Sequence, residues 1–264
     1  KENFSFVKGD VRDSEALRPH VAAADIIIHL AAIVGYPACS KEPELAKQVN
    51  VDATRRLAAM VRPEQLVLFG STGSNYGALA DGICTEESPL KPLSLYGETK
   101  TEAERIVMEE TNAVAYRFAT AFGTSPRLRL DLLVNDFVNK AINDKYIVVY
   151  ESHFMRTFIH VHDIARSFIH AIDNHEKMAN QVYNVGDDSL NRSKRGICEL
   201  IQGKVDYYLH LADFGKDADA RNYVVSYEKI AAAGFNTTVS IEKGVDELEN
   251  ALQVVQLNDP YRNV

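Results

Sequence analysis

The 264-residue chain has only three cysteines, Cys39, Cys84 and Cys198, with no C-x-x-C pair. That excludes a disulfide-built scaffold, gives no zinc signature and fits a reducing compartment. A basic excess is lacking too: 29 Lys and Arg stand against 37 Asp and Glu, a formal charge of −8. Such a balance argues against a nucleic-acid surface, while a local basic pocket for an anion stays open. No apolar run is long enough for a membrane. The longest, Val21–Cys39, is broken by Asp25 and His29 and ended by Gly35 and Pro37, short of the roughly 20 apolar residues a spanning helix needs. The opening KENFSFVKGD has no charged stretch leading into an apolar core, so no signal peptide is expected. The expectation is a soluble, cytoplasmic protein with neither membrane nor nucleic acid as partner. With 46% hydrophobic and 25% charged residues, disorder is excluded and one sizeable core can form.

Short apolar runs alternate with longer amphipathic ones. Phe4–Val7, Ile26–Leu30, Leu66–Phe69, Val114–Phe118, Tyr146–Val149 and Val182–Val185 read as strands. Several are continuous rather than alternating, as in strands buried on both faces of a parallel sheet. Ser14–Ala22, Glu44–Met60, Glu98–Thr111, Leu130–Asn143 and His162–Asn174 read as helices. This alternation predicts an α/β, Rossmann-type doubly wound parallel sheet, with a smaller mixed lobe at the C-terminal end. The expected division is residues 1–125 for the Rossmann-type part and 126–264 mainly for the smaller lobe, with about 150–185 returning to the first part.

A dinucleotide fold ordinarily opens with strand, G-x-G-x-x-G turn and helix; that first βαβ unit is absent from the given sequence. Leu66–Gly77 (LVLFGSTGSNYG) offers three glycines after a strand, but the following ALADGICTEESPLKP is loop chemistry, not a helix that could receive a pyrophosphate. G-x-S-x-G is missing as well, so Ser71 and Ser74 are not read as hydrolase nucleophiles. His160 and His162 are spaced as strand neighbours without a third ligand, and no metal is expected. Asp163 suits the first turn of the helix that follows.

What carries chemistry is Tyr96-Gly97-Glu98-Thr99-Lys100, which puts a phenol and an ammonium on one helix face. A phenol, with an ordinary pKa of about 10, is too weakly acidic to serve as a base near neutrality unless cations favour its phenolate. Upstream, Ser71 and Thr72 end a buried strand with hydroxyls, and Thr72 is placed to hydrogen-bond the oxygen that Tyr96 deprotonates.

In these motifs, taken in order, the chain resembles the extended short-chain dehydrogenase/reductase superfamily, in its NAD-dependent nucleotide-sugar epimerase/dehydratase branch. Gly9-Asp10-Val11-Arg12-Asp13 is similar to the segment that approaches the cofactor adenine. His29-Leu30-Ala31-Ala32 is similar to the strand end lining pyrophosphate and nicotinamide ribose, and Asn50 matches a helix asparagine. The resemblance implies Thr72, Tyr96 and Lys100 as catalytic residues. It implies Asp10, Val11, Leu30, Ala31, Ala32, Asn50, Tyr96 and Lys100 as the binding set for NAD, with NADP as the alternative. Thr72, Thr120, Arg156 (in RTFIHVHD) and Arg221 are implied as contacts of a nucleoside-diphosphate sugar. The activity implied is 4-epimerisation through a transient 4-keto sugar; a 4-ketosugar reductase, or a non-catalytic nucleotide binder of the same fold, are the alternatives. A homodimer through Glu44–Met60 and Glu98–Thr111 is expected from the family. Two departures matter. Sugar 4,6-dehydratases follow the loop threonine with an Asp-Glu pair, whereas Thr72 is followed by Gly73-Ser74, which disfavours dehydration. Thr120 stands where many epimerases have Asn.

Overall fold

A computed structural model describes residues 3–77, 82–213, 215 and 222–254. Its strands in chain order are β1 (Ile26–His29), β2 (Leu66–Thr72), β3 (Ile83–Cys84), β4 (Ala113–Phe118), β5 (Thr120–Phe122), β6 (Tyr146–Tyr150), β7 (Met155–His160), β8 (Gln181–Val185), β9 (Asn191–Ser193), β10 (Tyr208–Ala212) and β11 (Val224–Val225). The main sheet runs β1-β2-β4-β8 with every pair parallel. Side-chain alternation along β2 feeds two cores. Val67 and Phe69 pack with Ala103 and Val107 of the Leu95–Glu110 helix, while Leu66 and Leu68 join the core of Phe168 and Ala171 from the Val161–Asp173 helix. Helices thus cover both faces, the doubly wound arrangement that the continuous apolar runs predict.

A third core lies beyond the sheet, where Val134, Val138, Phe158, Ile197 and Leu248 meet. The chain reaches it directly: one residue after β4, Thr120 opens β5, which pairs parallel with β7, itself antiparallel to β9. The crevice for a ligand lies where β2 and β4 end and this crossing begins, at the carboxyl ends of parallel strands.

Three expectations are corrected. Phe4–Val7 forms no strand: it finds no ladder partner among the described residues, and Phe4 and Phe6 are 77% and 80% exposed. Tyr146–Val149 is a strand, but it pairs with β10 in a separate two-stranded sheet. The Glu44–Met60 run is not one regular α-helix: Pro43–Lys47 and Ala53–Ala58 are joined by a π-turn at Gln48–Asp52, the kind of irregularity that often marks functional positions. Asp163 does lie in the first turn of its helix. It also accepts hydrogen bonds from the Thr238 and Val239 amides, both at 3.0 Å, tying the chain before the last helix to the Val161–Asp173 helix.

Gly123 shows where only glycine serves. Its φ is +99°, and a Cβ there would stand 2.1 Å from Nε2 of His160. The backbone cannot retreat, because Asn135 accepts from the Gly123 amide at 3.0 Å and donates to its carbonyl at 3.2 Å. Gly123→Ala is expected to cost at least about 2 kcal/mol, combining backbone strain with overpacking; urea unfolding measures it, and a loss below about 0.5 kcal/mol would contradict this reading of the bend.

Candidate active site

Ser94 caps the Leu95–Glu110 helix, its Oγ accepting from the Gly97 amide at 3.2 Å, and so fixes the first turn in which Tyr96 sits. Gly97 lets that turn close on the neighbouring loop: a Cβ there would lie 2.8 Å from Pro92 Cβ. Across from Tyr96, β2 delivers Thr72 into a short 3-10 turn over Gly73–Tyr76. Thr72 caps that turn, its Oγ1 accepting from the Ser74 amide and lying 3.1 Å from Ser74 Oγ. Gly73 is closely packed: a Cβ would sit 3.3 Å from the Tyr223 hydroxyl and 3.4 Å from the Phe118 carbonyl, so a side chain there would need its neighbours to give by a few tenths of an ångström. The glycines of this segment thus open a four-residue 3-10 turn capped by Gly77, not the α-helix that a cofactor fingerprint opens.

Thr72, Ser74 and Tyr96 line a cavity of about 730 Å³, together with Phe118, Thr120 and Arg156. Four of the expected site residues, Thr72, Tyr96, Thr120 and Arg156, therefore meet in one place although they come from four different stretches of chain. Arg221 lies outside the described residues. Lys194 and the ion pairs Arg129–Asp131 (2.5 Å) and Lys140–Asp136 (2.7 Å) also line the cavity. Sequence reasoning missed Asp131, Asp136, Lys140 and Lys194. For Lys194 a signal existed: a lysine in the first turn of a helix opposes the helix dipole, and this one is 2% exposed.

Lys100 is not on the cavity wall. It is 3% exposed and lies behind Tyr96, its ammonium 4.0 Å from the centroid of the Phe69 ring. Burial pushes its pKa down to about 7, against the opposing pull of Glu104 and Cys39. His29 lies nearby at the end of β1. Burial, with Lys100 adding to it, pushes the imidazole down to about 4, so the ring is neutral near pH 7. Its tautomer follows from its neighbour: Thr54 donates its hydroxyl to the Asn50 carbonyl at 2.8 Å, so His29 Nε2–H is the donor to Thr54, also at 2.8 Å.

Asn50 sits in the π-turn at 1% exposure, and its amide is occupied within the protein. Its oxygen accepts from the Ile33 amide (2.8 Å), while its nitrogen donates to the Ile33 carbonyl (3.0 Å) and to Thr99 Oγ1 (3.1 Å). It holds the segment after β1 against the tyrosine helix.

Leu30 and Ala31 are exposed at the carboxyl end of β1, a surface of small and apolar groups that a flat ligand can approach. Beyond them, a shallower depression is lined by Asp10, Arg12, Asp13, Gln48 and Arg56. There Arg12 grips Asp10 through a salt bridge at 2.6 Å, and these hydrogen bonds hold the Asp10 carboxyl down at about 2. Val11 is half-buried between the two. A carboxylate, an apolar strand end and the Tyr96–Lys100 face, set along the edge of one parallel sheet, fit a dinucleotide. Among the described residues no three His, Cys, Asp or Glu side chains converge on a metal site.

The comparisons with known proteins agree with this geometry. The low-salt glycan biosynthesis protein Agl12 of Haloferax volcanii is 29% identical over 92% of this chain and 80% of its own length. The dTDP-D-glucose 4,6-dehydratase of Mus musculus is 23% identical over 93% of this chain and 73% of its own. Among solved structures, the UDP-glucuronic acid 4-epimerase from Bacillus cereus, in complex with UDP-glucuronic acid and NAD, superposes with a TM-score of 0.83 at 21% identity, covering 96% of this chain and 82% of that one. Residues 1–186 match the family profile itself, and with the tyrosine helix, the hydroxyl loop and the parallel sheet in place the chain belongs to the NAD dependent epimerase/dehydratase family.

Proposed function

We propose that this protein interconverts nucleoside-diphosphate sugars that differ in configuration at C4, through a transient 4-keto sugar and with NAD as its resident cofactor. The observation that carries this reading is the convergence of Thr72 and Tyr96, from two separate elements, on one cavity with Lys100 buried directly behind. Bound NAD would supply the hydride acceptor and donor. Tyr96 as phenolate takes the proton of the C4 hydroxyl and later returns it. Lys100 favours the phenolate by its charge and would hold the nicotinamide ribose, and Thr72 orients the reacting oxygen. Asp10, Val11 and Leu30–Ala32 would hold the rest of the dinucleotide, with Asn50 fixing the backbone beneath it.

Charge supports the substrate class. In a chain of net −8, the described cavity residues include four cations, Arg129, Lys140, Arg156 and Lys194, against two carboxylates, Asp131 and Asp136. A diphosphate is the kind of group that such a set of cations, Arg156 among them, suits. Thr120 would contact the substrate from the β4–β5 crossing. Gly73 and Ser74 stand after Thr72 where a dehydratase would need an acid/base pair, which favours epimerisation over dehydration.

A homodimer through the two helical segments remains our reading. Their outward faces carry Arg55, Glu102 and Arg105, linked by salt bridges, so such an interface would be polar. No described helix is long and apolar enough to cross a membrane, and the three cysteines are unpaired and buried; we place the protein in the cytoplasm.

The experiment is to release and identify by mass the nucleotide carried by the purified protein, then follow UDP-sugars by proton NMR. Stoichiometric NAD and appearance of the C4 epimer without added cofactor support the proposal. A protein that emerges empty and consumes NADPH only with a 4-keto sugar would make it a reductase.

A further inference from the structure

Tyr96, Lys100 and Glu104 follow one another in steps of four along the Leu95–Glu110 helix and form a single stripe. The first reaches the cavity and the second is buried behind it. Glu104, 4% exposed, turns to the hydroxyl loop. Its Oε2 accepts from Ser71 Oγ at 2.6 Å and from Asn75 Nδ2 at 3.2 Å. Arg117 on β4 meets the same carboxylate as a fork, Nη2 at 2.7 Å and Nε at 3.1 Å from Oε1. Arg117 Nη1 then donates to the Tyr76 hydroxyl at 3.1 Å, which donates to Asn184 Oδ1 at 2.6 Å. Ser71, Asn75 and Tyr76 all reach back to this ion pair, while Thr72 and Ser74, with Ser71 itself, line the cavity.

A buried ion pair is poor grounds for stability, since apolar residues of the same volume often do as well. Here the pair joins two elements that the chemistry needs in fixed relation. We infer that Glu104 is a positioning residue: it clamps the hydroxyl loop to the tyrosine helix, so that Thr72 and Tyr96 address one substrate oxygen. The inference rests on the function proposed above.

The clamp also has an electrical side. Lys100 is faced by Tyr96 and Glu104 from its own helix, by His29 from β1, by Cys39 from the Tyr36–Lys41 helix and by the Phe69 ring. Of these, Glu104 is the carboxylate whose anion supports the ammonium against burial. Glu104→Gln removes that anion and leaves Arg117 unbalanced. Both changes disfavour a charged Lys100 and favour a phenolate, so both limbs of the pH profile of kcat move to lower pH. A merely structural role would scale the profile without moving it.

The test uses the full chain with its bound nucleotide in two variants. Glu104→Gln is expected to lower kcat by about 10–100-fold with KM within about threefold, because misorientation of reacting groups is felt in the chemical step. Ser71→Ala keeps the ion pair and removes one arm of the clamp, and about a fivefold loss of kcat is expected. In both, amide hydrogen exchange over residues 71–77 rises while β4 keeps its protection. Unshifted pH limbs in Glu104→Gln, or wild-type kcat and loop exchange in Ser71→Ala, overturn the inference. A wild-type protein that turns over no nucleotide sugar overturns the proposed function instead, and the loop exchange then still decides whether the clamp exists.

Discussion

Tyr96→Phe is expected to lower kcat by about 10²–10⁴-fold, the range of a lost general acid–base group, with little change in unfolding midpoint. The two effects separate for a structural reason. Tyr96 is half-exposed and lines the cavity, so deletion of its hydroxyl leaves the ring, the helix and the Ser94 cap unchanged. Among the described residues, the hydroxyls that line the cavity with it are poor substitutes for its proton transfer. Thr72 and Ser74 are aliphatic hydroxyls, far weaker acids than a phenol, and Lys100 sits behind the ring without reaching the cavity. KM should move little, since in the proposed binding mode the diphosphate, rather than the reacting hydroxyl, would supply most of the contacts. Single-turnover reduction of the bound cofactor by substrate reads the chemical step directly. A Tyr96→Phe enzyme within tenfold of wild type would remove the phenolate from the mechanism and shift attention to another base.

The strength of that expectation depends on how Lys100 is held. Burial draws its pKa to about 7 in the resting protein, so near neutrality the ammonium is easily lost. Formation of a phenolate next to it works the other way, because an adjacent anion favours the charged lysine. In the proposed mechanism the two groups would stabilise one another's ionised forms, so that a proton leaving Tyr96 would be matched by one retained on Lys100. Titrations so coupled belong to the pair.

Which parts of this site are legible in the sequence follows from the range over which each signal acts. The buried strands β2, β4 and β8 show as continuous apolar runs, and Tyr96 with Lys100 shows as a spacing within one helix. These are local patterns. Thr72 and Arg156 are found through the resemblance of ordered motifs, and the structure places both on the cavity. Phe4–Val7 misleads because apolar alternation announces a strand only when a partner is there to pair with it; among the described residues none is. The π-turn at Gln48–Asp52 leaves no compositional trace, since nothing in QVNVD requires an i→i+5 bond. Glu104 is invisible for a different reason. On the helix it reads as one more exposed glutamate, and only the approach of Ser71, Asn75 and Arg117 from 33, 29 and 13 residues away in sequence makes it a buried hub.

That hub gives the largest effect expected on stability. Burial works against the Arg117 charge, and the Glu104 carboxylate, with the Tyr76 hydroxyl, outweighs it. Arg117→Leu leaves the carboxylate buried without its partner, and the Glu86 carbonyl and Tyr76 hydroxyl lose a donor as well. Breaking such a pair from one side costs about 3–5 kcal/mol. The loss should depend on pH in a definite sense. Without Arg117, Glu104 escapes an unpaired buried charge only by binding a proton, so the folded state of the variant holds that proton more tightly than the unfolded state does. Stability then falls as pH rises above about 4.3, the ordinary glutamate value, and the deficit against wild type is smallest in acid. The double variant Arg117→Leu/Glu104→Gln removes the charge but keeps an oxygen for Ser71 and Asn75; it should recover about 1–3 kcal/mol of the loss and abolish its pH dependence. Urea unfolding at pH 5 and pH 8 compares the three proteins. Equal deficits for single and double variants at both pH values would mean that the network holds the loop through its hydrogen bonds and packing alone, with the charge of Glu104 contributing nothing.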